Sequence, residues 1–420
     1  MKNSLHFFGT SAPALSKVLL STGLGIIAVT FISIAVAAPK TGSDSTKKLP
    51  YSYYVAGDAA FNVTAPSSRP TPSIVLMGGG PDVDPAFQWM IKKAGIVPGT
   101  GGRFVIIRAT GTEAYNPYIF YSDASLSKST TVQEDWVGGA SLGLTSVETL
   151  VIPSVEAANH EGVKAVVAKA NAVFIAGGDQ SDYVKYWKGT LLENTLKDLM
   201  SKNVPIGGTS AGLAVLGNFD YAALNGTVTS PQALSNPYNK YMTLDPNPLT
   251  IDGSFLNPPA LNNTILDSHL DARDRMGRLV TFTARLVRFN NVNAGCPGGI
   301  LTAGAGSPNS PRGIGVGVET ALLVEGSTPT GPYSAKMVTN PRPASDPAVY
   351  FLQPSISPGL CAAGKPLQMD AVEVRKLANP DQVFNLTEWT GVPVYRRVSA
   401  FGGELTSTDA VTGVATPNPY

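Results

Sequence analysis

The chain has 420 residues, with 31 lysines and arginines against 30 aspartates and glutamates; so even a balance gives no basic surface for phosphate neutralisation, and no nucleic-acid partner is expected. Its 43% hydrophobic and 15% charged residues, with 43 glycines and 33 prolines, describe a loop-rich globular protein and exclude a disordered one. Three histidines and two cysteines, in no ligand spacing, argue against a metal centre, and no cofactor is expected.

In chain order, Lys2 and Lys17 precede an apolar run from Val18 to Ala37 that ends in Ala35-Val36-Ala37. Residues 1–37 therefore read as a signal peptide cleaved near Ala37, or as a retained anchor, since the run is long enough to span a bilayer. Either way the body of the chain is expected to be secreted or periplasmic. Residues 38–50 are small and polar and read as a linker. Short apolar strands follow at Ser73–Met77, Arg103–Arg108, Glu148–Ile152, Asn171–Ala176 and Val204–Gly207, with helices at Asn159–Lys169 and Asp182–Lys202. Val/Ile-rich strands alternating with helices predict an α/β fold, a flavodoxin-like, mostly parallel sheet with helices on both faces over residues 51–330. From about Gly326 the texture changes: Val349–Leu352, Ala371–Val374 and Pro393–Val398 lie between turns without a helix, and residues 331–420 read as a β-rich C-terminal appendage whose last dozen residues fray. Cys296 and Cys361 either form a disulfide, as exported proteins allow, or stay free in their Gly/Pro-rich loops.

The segment Val204–Leu216 carries the strongest chemical signal. Gly208-x-Ser210-x-Gly212 between an apolar strand and a helical pattern is a nucleophile elbow. The sharp turn strains the serine backbone and needs small neighbours; its hydroxyl stands above the sheet, where the N–H of Ala211 is the natural oxyanion donor. Such a serine needs a base. His6 lies in the export segment and His160 opens a helix as a solvated residue, which leaves His269, after an apolar strand and before a basic helical stretch. Arg275 and Arg278 are three apart, a spacing that lets them share a helix face; a solvated helix paired with Asp271 and Asp274 is the alternative reading.

On Phe174-Ile175-Ala176-Gly177-Gly178-Asp179-Gln180, on Gly208–Gly212 and on the stretch from Asp267 to Leu279, the chain resembles the cyanophycinase family of serine peptidases, which have a class I glutamine amidotransferase-like sheet. Order and spacing agree from about residue 70 to 330, and the appendage is similar to extensions on some exported members. The resemblance implies that Ser210 attacks a peptide carbonyl, that His269 takes its proton and that an acyl-enzyme forms. It implies an oxyanion hole from Ala211 and an N–H near Gly178. Glu319, after Gly313-Ile314-Gly315-Val316 and beside Thr320-Ala321, would orient the histidine. The chain departs from the family here, because the family acid stands two residues before Thr-Ala, where this chain has Val318. One residue of slip turns a strand side chain to the opposite face, so Glu319 needs a bulge or loop start to re-aim it, and Asp267 is the second candidate acid. The implied substrate is cyanophycin or a related peptide, an aspartate backbone bearing arginine, cut to β-aspartyl-arginine. Gln180, Asp267, Ser268, Arg273, Arg275 and Arg278 would contact it, the arginines through its carboxylates, although Ser268 stands where the family often has Gln. The insertion from Asn290 to Arg312 would lid or narrow the cleft, and a homodimer is the expectation drawn from the family.

Rival readings explain less. Gly78-Gly79-Gly80 lacks the register of a dinucleotide loop. An α/β-hydrolase esterase shares the elbow but needs Asp245 or Asp252 as its acid and leaves Gln180 and the arginines without a role. An aspartyl dipeptidase of the same fold is the nearest enzyme alternative, and a catalytically weakened binding protein is the alternative favoured by the displaced acid.

Overall fold

Every residue of the strand Ser73–Met77 is buried, and its side chains divide between two faces. Ile74 and Leu76 pack with the helices Glu161–Val167, Gln180–Trp187 and Leu191–Ser201, whereas Val75 and Met77 pack with Asp84–Lys93 and Tyr115–Tyr121. A sheet covered on both sides accounts for the unbroken apolar runs. The computed structural model describes residues 48–121, 138–250, 253–289 and 295–420; the expected signal peptide, most of the expected linker and the first residues of the insertion lie outside them. Among the described residues no helix is long and apolar enough to cross a membrane.

The strands are β1 (Ser52–Gly57), β2 (Ser73–Met77), β3 (Arg103–Arg108), β4 (Ser146–Val151), β5 (Ala172–Ile175), β6 (Ile206–Thr209), β7 (Asp220–Tyr221), β8 (Leu244–Asp245) and β9 (Thr264–Ser268). They continue with β10 (Arg312–Val316), β11 (Thr320–Gly326), β12 (Tyr333–Thr339), β13 (Val349–Pro354), β14 (Met369–Leu377), β15 (Phe384–Asn385), β16 (Val394–Phe401), β17 (Glu404–Asp409) and β18 (Ala415–Thr416). The first sheet runs β1-β4-β3-β5-β6-β2-β11-β12-β15, and its centre from β4 to β2 is parallel. The fold is thus mixed α/β with a mainly parallel central sheet. The second sheet, β18-β17-β16-β14-β13-β10-β9, is antiparallel except for the β9–β10 pair. Residues beyond 331 supply strands to both sheets.

Three local outcomes differ from or complete the sequence reading. The helix expected over Asp182–Lys202 is two helices, broken at Gly189, which takes φ +75°, with Thr190 opening the second. Cys296 and Cys361 form a disulfide, Cα–Cα 5.0 Å, tying the insertion to the loop after β13. The last residues are pinned and not frayed: β18 pairs with β17, and the Tyr420 hydroxyl donates to Asp274 Oδ1 at 2.9 Å while accepting from the Met276 N–H at 2.9 Å.

Candidate active site

Ser210 follows β6 directly, with φ +53° and ψ −112°, a region a non-glycine residue enters only under constraint. The glycines on either side explain how the turn closes. A Cβ on Gly208 would stand 2.4 Å from the backbone of Gly212, and one on Gly212 would stand 2.0 Å from the Ile175 carbonyl oxygen. The Ser210 N–H donates to the Met77 carbonyl at the end of β2, 3.1 Å, which holds the elbow between neighbouring strands. Ala211 is the first residue of the helix Ala211–Ala214, and a first-turn N–H has no acceptor within its own helix.

His269 follows β9 on a turn with φ +48°, and its N–H donates to the Gly78 carbonyl, 2.8 Å. This bond delivers the imidazole to the serine: Ser210 Oγ and His269 Nε2 lie 2.9 Å apart. Gly79 lies against the ring, and a Cβ there would stand 2.4 Å from both Cε1 and Nε2. Burial, and then the charges of Arg273 and Arg275, lower the His269 pKa to about 4, so the imidazole is unprotonated at neutral pH and can accept the serine proton.

The pair opens into a cleft of about 670 Å³ lined also by Gly79, Gly177, Thr209, Arg273, Arg108, Asp82 and Tyr115. Arg273 is exposed and has no side-chain partner among the described residues. The sequence reading missed Arg108, Asp82 and Tyr115; the location of Arg108 at the carboxyl end of β3 was the one available signal, because that edge collects functional residues in such sheets.

Other expected site residues lie elsewhere. Glu319 does lie in a turn, the last residue before β11, with φ +55°, but its carboxylate accepts from the Ser345 N–H at 2.8 Å. Among the described residues no carboxylate accepts from His269. Asp267 is buried and grips Arg278, accepting from Nε at 2.7 Å and Nη2 at 2.5 Å. Arg278 is 2% exposed and also donates to the Val228 carbonyl, so this pair braces the interior beneath the site and neither side chain is open to substrate. Ser268 is buried, its carbonyl accepting from Arg275 Nη1 at 2.8 Å. Arg275 is half-buried, with its pKa lowered to about 10, chiefly by burial. Gln180 turns its amide toward the Tyr221 carbonyl, 3.4 Å, and Gly178 sits exposed beside it.

A strained serine in bonding contact with a neutral imidazole, on an α/β sheet, is the constellation of serine hydrolases. Residues 124–231 match the model of Peptidase family S51, a stretch that holds Gly177–Gln180 and the Ser210 elbow and stops before His269. No curated protein matches the chain. Among solved structures the chain is similar to a peptidase from an acI-B1 Actinobacterium, at 14% identity over 76% of this chain and 98% of that one, TM-score 0.43. It is also similar to a putative peptidase E protein from Listeria monocytogenes EGD-e, at 14% identity over 64% and 98%, TM-score 0.33.

Proposed function

We propose that the protein is a serine peptidase that cleaves cyanophycin or related β-aspartyl-arginine peptides through an acyl-enzyme on Ser210. The observation that carries this reading is the 2.9 Å contact between Ser210 Oγ and His269 Nε2 at the floor of an arginine-bearing cleft. Ser210 attacks the carbonyl and its proton passes to His269 Nε2. The oxyanion is met by the Ala211 N–H; the amine leaves with the proton from His269. Water, deprotonated by the same nitrogen, then releases the acyl group. Arg273 holds a substrate carboxylate, and Arg275 sets the charge around the imidazole. With no carboxylate among the described residues on His269, the imidazolium formed in the transition state lacks a stabilising partner there, so turnover is slower than that of a full triad. That same observation favours the second reading, a binding protein with weakened catalysis. The signal pattern in residues 1–37 supports a site of action outside the cytoplasm.

The test is incubation of the protein with cyanophycin, β-aspartyl-arginine and α- and β-aspartyl dipeptides, beside Ser210→Ala. Hydrolysis by the parent, absent in the variant, is expected. Binding without hydrolysis would select the second reading, and full activity in Ser210→Ala would reject the nucleophile.

A further inference from the structure

Arg108 ends β3, which is separated from β6 by one strand, β5. Strands lie about 4.8 Å apart, so the guanidinium rises from a strand end roughly 10 Å to one side of that of Ser210. His269 and Arg273 arrive over β2, the neighbour of β6 on the other side, because the His269 N–H bonds Gly78 and its ring rests on Gly79. Ser210 therefore stands between two arginines, and both line its cleft.

The seat of Arg108 is built in advance. Nε donates to the Thr110 carbonyl at 2.5 Å and Nη1 to the Thr112 carbonyl at 3.1 Å. Gly111, at φ +110°, leaves the space, since a Cβ there would stand 2.4 Å from Cζ and Nη2. The Tyr115 ring lies 6.0 Å away. Two of the five N–H donors are thus used to hold the fork still, and among the described residues no carboxylate pairs with it. Asp82, the acid that lines the cleft, has interactions of its own. At the end of β6, next to Ser210, the Thr209 hydroxyl is buried, lines the same cleft and has no hydrogen-bond partner among the described residues. The Ser210–His269 chemistry asks nothing of either group.

We propose that Arg108, in the cleft that the Thr209 hydroxyl also lines, forms a second anion subsite, so that the cleft selects peptides with a carboxylate on each side of the cleaved bond. Arg273 reads one and Arg108 the other. This rests on the peptidase reading above and narrows its substrate class. A rigid guanidinium meeting a carboxylate by paired, charge-assisted bonds discriminates against a neutral isostere by about 10- to 100-fold.

The experiment uses four peptides that differ only in carrying glutamate or glutamine on either side of an aspartyl bond, with kcat/KM measured for each. The parent prefers the doubly acidic peptide. Arg108→Gln cuts the glutamate-over-glutamine ratio on one side by about 10- to 100-fold, and Arg273→Gln does so on the other. Arg108→Lys keeps the charge without the fork and falls between. A uniform loss on all four peptides in Arg108→Gln, unchanged ratios, or an effect on the same side as Arg273→Gln would overturn the subsite while leaving the peptidase reading in place. If the parent cuts neither these four nor cyanophycin although Ser210 still reacts with a fluorophosphonate, the peptidase reading itself fails and takes the subsite with it.

Discussion

Replacing Gly79 with alanine probes the contact on which the site depends. The new methyl carbon would stand 2.4 Å from His269 Cε1 and Nε2 and 3.1 Å from Cδ2, whereas carbon atoms rest about 3.5–4.0 Å apart. The imidazole must therefore retreat by about 1 Å or more, which takes its 2.9 Å contact with Ser210 beyond bonding range. Misplacement of that size costs about 100-fold in rate. Alanine at φ +90° adds a backbone penalty of about 1–2 kcal/mol. Gly99→Ala separates the two effects: Gly99 has φ +91° and nothing within 4 Å of a built Cβ, so it carries the strain without the clash. The assays are thermal unfolding and the second-order rate of Ser210 labelling by a fluorophosphonate. Similar losses of Tm in both variants are expected, with labelling slowed about 100-fold in Gly79→Ala alone. Labelling of Gly79→Ala at the Gly99→Ala rate would refute the placement of the imidazole.

Further outcomes follow from the same geometry. Activity should fall as pH drops through about 4, where His269 gains a proton and ceases to be a base. Arg273→Gln removes a positive neighbour, favours the protonated ring and moves this acid limb to higher pH; a kcat/KM profile with an unmoved limb would contradict it. Asp267→Ala leaves the buried Arg278 unpaired and should cost about 3–5 kcal/mol in denaturant unfolding, while the exposed Arg273→Gln should stay within about 0.5 kcal/mol of the parent. Reduction of Cys296–Cys361 should lower unfolding stability by about 2–4 kcal/mol, and an unchanged midpoint under reducing conditions would count against that tie.

The sequence by itself determined what is local. Val/Ile runs between helical patterns announced a parallel sheet, because strands covered on both faces leave no polar positions. The pair of glycines around Ser210 announced the elbow, because no Cβ fits at 208 or 212. With so few histidines, His269 could be named before its location was known. Tertiary structure alone decided everything that depends on which strands are neighbours. Seating β2 next to β6 brings Gly79 against His269, and β3, beyond β5 on the other side of β6, sets Arg108 on the opposite flank. Side-chain direction was equally hidden. Arg278 and Arg273 sit in one basic stretch, yet one points inward to Asp267 and the other into the cleft, and Glu319 meets Ser345 and not the imidazole. Spacing along a chain names residue types that can do chemistry, while the packing of distant segments chooses which of them meet.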